Sequence, residues 1–185
     1  MFQNIVNKFF FVLLTFLPIC IIIGPAASLL NILLFDFFFV ILIISKKNWD
    51  WINAPVIKLL LILYIYLIFN SIISIDPTSN LLRNLGFIRL IIFFIGLNYF
   101  LQDHKFHKIF YFWSIIIIVT IFDIFFERIY GSNILGFTSE NQRRIVSFFV
   151  DELIVGGYVY AFTFMLAGFY LNKFKNEEKL INNFL

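Results

Sequence analysis

Charge is scarce in this chain. Of its 185 residues only 14% are Asp, Glu, Lys or Arg, and mean hydropathy is +0.95. A soluble domain carries roughly a quarter charged residues, so the solvent that suits this composition is lipid, and the chain reads as an integral membrane protein. The single cysteine, Cys20, lies inside an apolar run, which excludes a disulfide framework and a thiolate metal cluster. The only two histidines, His104 and His107, sit at i, i+3 in a short polar link. That spacing suits a metal, but no further ligand set accompanies it, so neither metal nor other cofactor is expected. The net charge of +3 is spread over the loops. It carries topology information and forms no nucleic-acid-binding patch.

What remains is a series of apolar runs separated by turn signals. Candidate spans cover about residues 9–23, 29–45, 54–74, 82–101, 109–126 and 152–171, with a loop at 128–150 and a polar tail after Leu171. The predicted fold is all-α, a polytopic transmembrane bundle of about six spans in a single domain. The basic start and short first run also fit a signal peptide, but the apolar sequence resumes at once after Gly24-Pro25, so an uncleaved helix ended by that proline is expected. Pro18 is the only breaker inside a span, and it is expected to have no polar companion. Trp49 and Trp51 are placed at an interface, and Asp76-Pro77-Thr78-Ser79-Asn80 is read as a turn.

Basic residues select an orientation. With a cytoplasmic N-terminus, Lys8, Lys46, Lys47, Lys105, Lys108, Lys173, Lys175 and Lys179 lie inside and Arg83, Arg128, Arg143 and Arg144 outside, eight against four. Both termini are then cytoplasmic, and 128–150 is an outer loop. Every inner cation is lysine and every outer one arginine, the planar fork that grips phosphate and carboxylate bidentately. Asp36, Arg89 and Asp123 all lie within about 12 Å of the outer face, at 1.5 Å per residue. Charges at such depth need a partner or a wet cavity. A structural polar set in which Arg89 pairs with Asp36 or Asp123, and a functional cavity, both remain open. Lys58 is near the inner end of its span and snorkels.

Helical spacing groups the rest. Gly86, Arg89, Phe93 and Gly96 form one stripe, whose glycines admit a neighbour. Thr120, Asp123 and Glu127 share a face of span five, as do Gly156, Tyr160, Thr163 and Ala167 of span six and Tyr66, Asn70 and Ser74 of span three. Asn70, Ser74 and Thr163 are assigned to inter-helix hydrogen bonds.

Polar chemistry concentrates in residues 143–158, where Arg143, Arg144, Asp151, Glu152, Gly156-Gly157 and Tyr158 stand together at the entry to span six. One reading is a snorkelling anchor beside a small-residue helix contact. The other is an anion site at the membrane surface, with Arg128 behind it.

Taken with Ser74, Asp76-Pro77, Ser79 and Arg83, with Gly86-Phe87-Ile88-Arg89, and with the run from Phe126 to Phe137, this stretch resembles the N-terminal half of the O-antigen ligase and O-antigen polymerase family. That family's outer-loop motif reads Arg-x-Ser-Gly-x-Phe, often followed by Gly-Asp-Glu and Gly-Ser-Tyr. Arg144, Phe149, Asp151, Glu152, Gly156 and Tyr158 match it, whereas Val146, Ser147, Val150 and Gly157 stand where Ser, Gly, Gly and Ser are expected. The resemblance implies a bacterial inner-membrane protein that transfers or polymerises a glycan carried on undecaprenyl pyrophosphate, without metal. It implies Arg143, Arg144, Arg128, Arg89 and Tyr158 as substrate-binding residues, and Asp151 or Glu152 as candidate catalytic groups. The later loop of such proteins has no counterpart here, so a fragment is expected. Half of a transporter or flippase, or a non-catalytic membrane subunit, are the alternative classes.

The orientation has a direct test. A cysteine introduced at Ser139 in a Cys20→Ser background is expected to react with a membrane-impermeant maleimide in intact spheroplasts. Labelling that requires lysis would reverse the topology.

Overall fold

The computed structural model describes residues 2–46, 54–101, 104–138, 144–149 and 154–184, apart from the side chains at 2–5, 104, 105 and 176–184. Among them every regular element is helical. In chain order these are α1 (Phe2–Ile23), α2 (Pro25–Lys46), α3 (Pro55–Ile73), α4 (Pro77–Leu85), α5 (Ile88–Leu101), α6 (Lys108–Tyr130) and α7 (Val155–Phe184), with 3-10 turns at His104–His107 and Ser147–Phe149. The fold is all-α and polytopic. Five segments are long and apolar enough to cross a membrane, with α4 and α5 together forming one of them. The apolar first half of α7 adds a sixth. Trp49 and Trp51 fall outside the described residues.

Local chemistry sets the boundaries. Gly24 adopts φ 136°, open to glycine but strained for other residues, and Pro25 starts α2 without needing an amide partner. Asp76 caps α4 by accepting from the Ser79 amide, and Pro77 stands at its first position. Gly131, at φ 81°, closes α6 through its amide and the Glu127 carbonyl, 2.8 Å apart. Two boundaries differ from expectation. The fourth span is broken at Gly86–Phe87, because the polar α4 docks on α3 through its asparagines. Helix α6 continues past Phe126 to Tyr130, because Glu127 is buried rather than placed in water.

The chain packs as two compact units, Met1–Pro25 with Lys105–Leu185, and Ala26–His104. In the second unit α2 meets α5 through an aromatic cluster around Gly96. Phe35 lies 5.0 Å from Phe93 and 6.0 Å from Phe100, ring centre to ring centre. A Cβ on Gly96 would stand 2.9 Å from Phe35 Cζ and 3.1 Å from Phe39 Cγ, so this glycine permits the close approach. Gly86 meets only carbonyls of its own turn. Helices α3 and α4 are joined by amides and hydroxyls. Asn84 Nδ2 donates to Ser71 Oγ (2.6 Å) and to the Leu67 carbonyl (3.2 Å), and Asn80 Nδ2 donates to Ser74 Oγ (3.0 Å). Ser74 thus takes the expected inter-helix role, whereas Asn70 and Thr163 are exposed.

In the first unit α1, α6 and α7 pack around Trp113, which is fully buried with Phe10, Leu14 and Ile109. The Trp113 indole N–H donates to the Leu14 carbonyl at 2.9 Å. That carbonyl would ordinarily accept from the amide four residues on, but residue 18 is proline and has none. Pro18 therefore does have a polar companion, supplied from α6. It is invisible to a reading confined to the neighbours of Pro18. Helix α7 presents Phe162 edge-on to Trp113 and stacks Phe169 on Phe110 at 4.2 Å. The face that carries Gly156, Tyr160, Thr163 and Ala167 is exposed.

Trp113→Phe is expected to strand a buried carbonyl and cost about 1–3 kcal/mol, read as a lower unfolding midpoint in detergent. Adding Pro18→Ala restores an amide for Leu14 and should recover most of the loss. Failure to recover would assign the loss to packing instead.

Candidate functional site

The site grows from the buried face of α6. Thr120, Asp123 and Glu127 share that face, as their spacing implies, and all three are buried. A bare carboxylate in such surroundings is costly unless donors reach it. Here the donors come from the chain that follows α6, which folds back along the helix instead of leaving it.

Asp123 accepts from the Ile134 amide through Oδ1 (2.8 Å) and from Ser147 Oγ through Oδ2 (2.6 Å). Glu127 accepts from the Val146 amide through Oε1 (3.1 Å) and from the Ser147 amide through Oε2 (2.6 Å). Asn133, also buried, donates from Nδ2 to the Ser147 carbonyl at 2.7 Å and accepts the Phe137 amide on Oδ1 at 2.7 Å. Two acids and one amide side chain thus bind the N–H, C=O and hydroxyl of Ser147.

That grip explains the backbone. Ser147 has φ 50°, the only positive φ outside glycine among the described residues. A left-handed non-glycine residue costs about 1–3 kcal/mol, which the charge-assisted bonds to its N–H and hydroxyl offset. Because Ser147 and Asp123 are both fully buried, the pair acts as a latch and not as a nucleophile with its base.

Next to the latch lie two arginines. Arg128 follows Glu127 directly, and Arg144 precedes Val146 by two residues, so the Glu127–Val146 hydrogen bond fixes both at one end of α6. Both are exposed. Behind the latch Phe149 is buried edge-on against Tyr158, with ring centres 5.1 Å apart, and Tyr158 in turn meets Phe162 at 4.9 Å. The Tyr158 hydroxyl points to the Pro18 carbonyl at 3.4 Å. Tyr158 is thus an internal strut between α7 and α1. Arg143, Asp151 and Glu152 lie outside the described residues.

The polar set Asp36, Arg89 and Asp123 is divided between the two units. Asp123 lies in the first, with both carboxylate oxygens engaged. Asp36 and Arg89 lie in the second, where Arg89 bears electrostatically on Asp36. Both Asp36 oxygens are buried and accept no hydrogen bond among the described residues. No cluster of three or more metal-ligating side chains occurs among the described residues either.

The residues that sequence reasoning missed are Asn133 and the latch role of Ser147, and with them the meaning of Glu127. A signal for Glu127 was present, because it shares a helical face with Thr120 and Asp123. Asn133 had only a weak one, the Asn-x-x-Gly turn pattern. The chain matches no family model, no curated protein and no solved structure.

Two substitutions separate the two roles of Ser147. Ser147→Ala removes the hydroxyl and keeps the strain, so it should cost about 1.5–3 kcal/mol, the worth of a hydrogen bond to a charged group. Ser147→Gly removes the hydroxyl but relieves the strain, so it should unfold about 1 kcal/mol later than the alanine variant. Equal midpoints for the two in detergent would show that φ at this position stores no strain.

Proposed function

We propose that this chain binds a polyprenyl-pyrophosphate-linked glycan at the membrane surface and takes part in its transfer or polymerisation, as a protein of the O-antigen ligase or polymerase kind in a bacterial inner membrane. The observation that carries the reading is the latch. Asp123 and Glu127 bind Val146 and Ser147 and leave Arg144 exposed at the same end of α6 as Arg128. A pyrophosphate leaving group gathers negative charge as its bond breaks, and guanidinium groups held beside it stabilise that charge.

Two details support the likeness to the family's loop. Position 147, where the family motif has glycine, adopts a left-handed backbone that glycine favours. The motif aromatics Phe149 and Tyr158 touch each other, so the motif spacing serves one packed unit. Arg143 adds a third cation in sequence. Asp151 or Glu152 supplies the group that deprotonates the acceptor hydroxyl. In this reading the exposed face of the loop looks into the periplasm, and both termini are cytoplasmic.

One observation favours a second reading, half of a transporter: the buried carboxylate of Asp36, which has no hydrogen-bond donor among the described residues. Intramembrane acids of that kind mark translocation paths.

Arg144→Lys decides the main point. Lysine keeps the charge and loses the fork, so a phosphate clamp should lose most of its binding while a surface anchor tolerates the change. The measurement is retention of a polyprenyl-pyrophosphate glycan by the purified protein. Unchanged retention in both Arg144→Lys and Arg144→Ala would end the assignment.

A further inference from the structure

The turn that follows α6 has a feature the latch does not explain. It carries its largest apolar side chains outward: Leu135 is 65% exposed, Ile134 48% and Phe137 40%. Such residues at a loop tip are costly in water, and here hydrogen bonds within the turn set them outward. Gly136 N–H donates to the Asn133 carbonyl (2.9 Å), and Asn133 N–H donates to the Phe137 carbonyl (2.9 Å). Gly136 takes φ 85° to close the turn.

The turn also lies deep. The Ile134 amide reaches Asp123, which is seven residues before Tyr130, the last residue of α6. At about 1.5 Å per residue the turn has descended about 10 Å alongside the helix. Helix α6 is long and apolar enough to cross a membrane over Lys108–Tyr130, so that descent sets the turn beside a segment of membrane-spanning composition.

Irregular backbone tolerates such a place only when its own polar groups are paired. Between Gly131 and Phe137, the amides of Gly131, Asn133, Ile134, Gly136 and Phe137 all have acceptors within the protein, two of them side-chain oxygens of Asp123 and Asn133. Tyr130 and Arg128 in the last turn of α6, and Arg144 just before the segment that Glu127 binds, are exposed. Aromatic rings and arginines beside apolar side chains match the layered chemistry of a lipid headgroup region over acyl chains.

We propose that Asn133–Phe137 is a re-entrant interfacial turn, whose Ile134, Leu135 and Phe137 side chains enter the lipid layer surrounding the Asp123 end of α6. The side chains of Asp123 and Asn133 accept its Ile134 and Phe137 amides, and Arg128 and Arg144 face the lipid phosphates above it. The inference holds whether or not the arginines bind a glycan carrier.

The test uses the full chain with Cys20→Ser and Leu135→Cys, labelled with an environment-sensitive nitrobenzoxadiazole dye. The protein is reconstituted in vesicles of phosphatidylethanolamine and phosphatidylglycerol. The expected result is blue-shifted emission, quenched several-fold more strongly by lipids with a doxyl group high on the acyl chain than by aqueous iodide. Efficient iodide quenching with little doxyl quenching would place the turn in water and overturn the proposal. Shielding from both quenchers would place it against protein, as in a contact between two copies, and would overturn it equally. The same label on Thr138, exposed just beyond the turn, serves as the second site. Its iodide quenching should exceed that at position 135, and equal values would refute a localised insertion even if Leu135→Cys perturbed the turn.

Discussion

In hydrocarbon no water is available to complete a broken hydrogen bond, so every polar backbone group must be satisfied by the protein itself. Three irregular features of this chain draw on a side-chain partner. Pro18 frees the Leu14 carbonyl, and an indole on α6 accepts the task. The amides of Ile134, Phe137, Val146 and Ser147 lie outside any α-helix, and two carboxylates and an asparagine accept them. Between α3 and α4, Asn84 completes the bonding of the Ser71 hydroxyl, which itself donates to the Leu67 carbonyl. The polar residues of the chain are few, and most of those buried are spent in this way.

That economy explains how much could be read from the sequence. Helix existence was legible because apolar runs of sufficient length have no other stable form in lipid. The Gly24-Pro25 break was legible because both residues act locally. The break at Gly86–Phe87 was not, since it depends on Asn80 and Asn84 docking against serines of a different helix. The end of α6 was placed too early for a similar reason. Glu127 reads as a water-facing terminus until its acceptors are known to meet the amides of Val146 and Ser147.

The site was legible in part. The 143–158 stretch was singled out for its charges, whereas the strain within its described residues lies at Ser147. Ser147 does not by its own residue type announce a left-handed backbone; only the glycine of the motif it resembles hints at it. Only the partners of its N–H, hydroxyl and carbonyl reveal it, and they lie on two separate elements. Asp36, Arg89 and Asp123 were grouped by depth along their spans. Depth is one coordinate, and it does not distinguish an acid with two donors from one with none among the described residues.

The bond between Trp113 and Leu14 joins residues 99 positions apart. Chains are made from the N-terminus at about 5–20 residues per second, so α1 is synthesised several seconds before the residue that completes it. During that interval the carbonyl opposite Pro18 has no amide of its own to meet, and α1 is a helix with a standing vacancy in its hydrogen-bond ladder. The first span is thus built to be finished by the fifth, which makes assembly of the α1, α6 and α7 unit a late event in biogenesis rather than a sequential one.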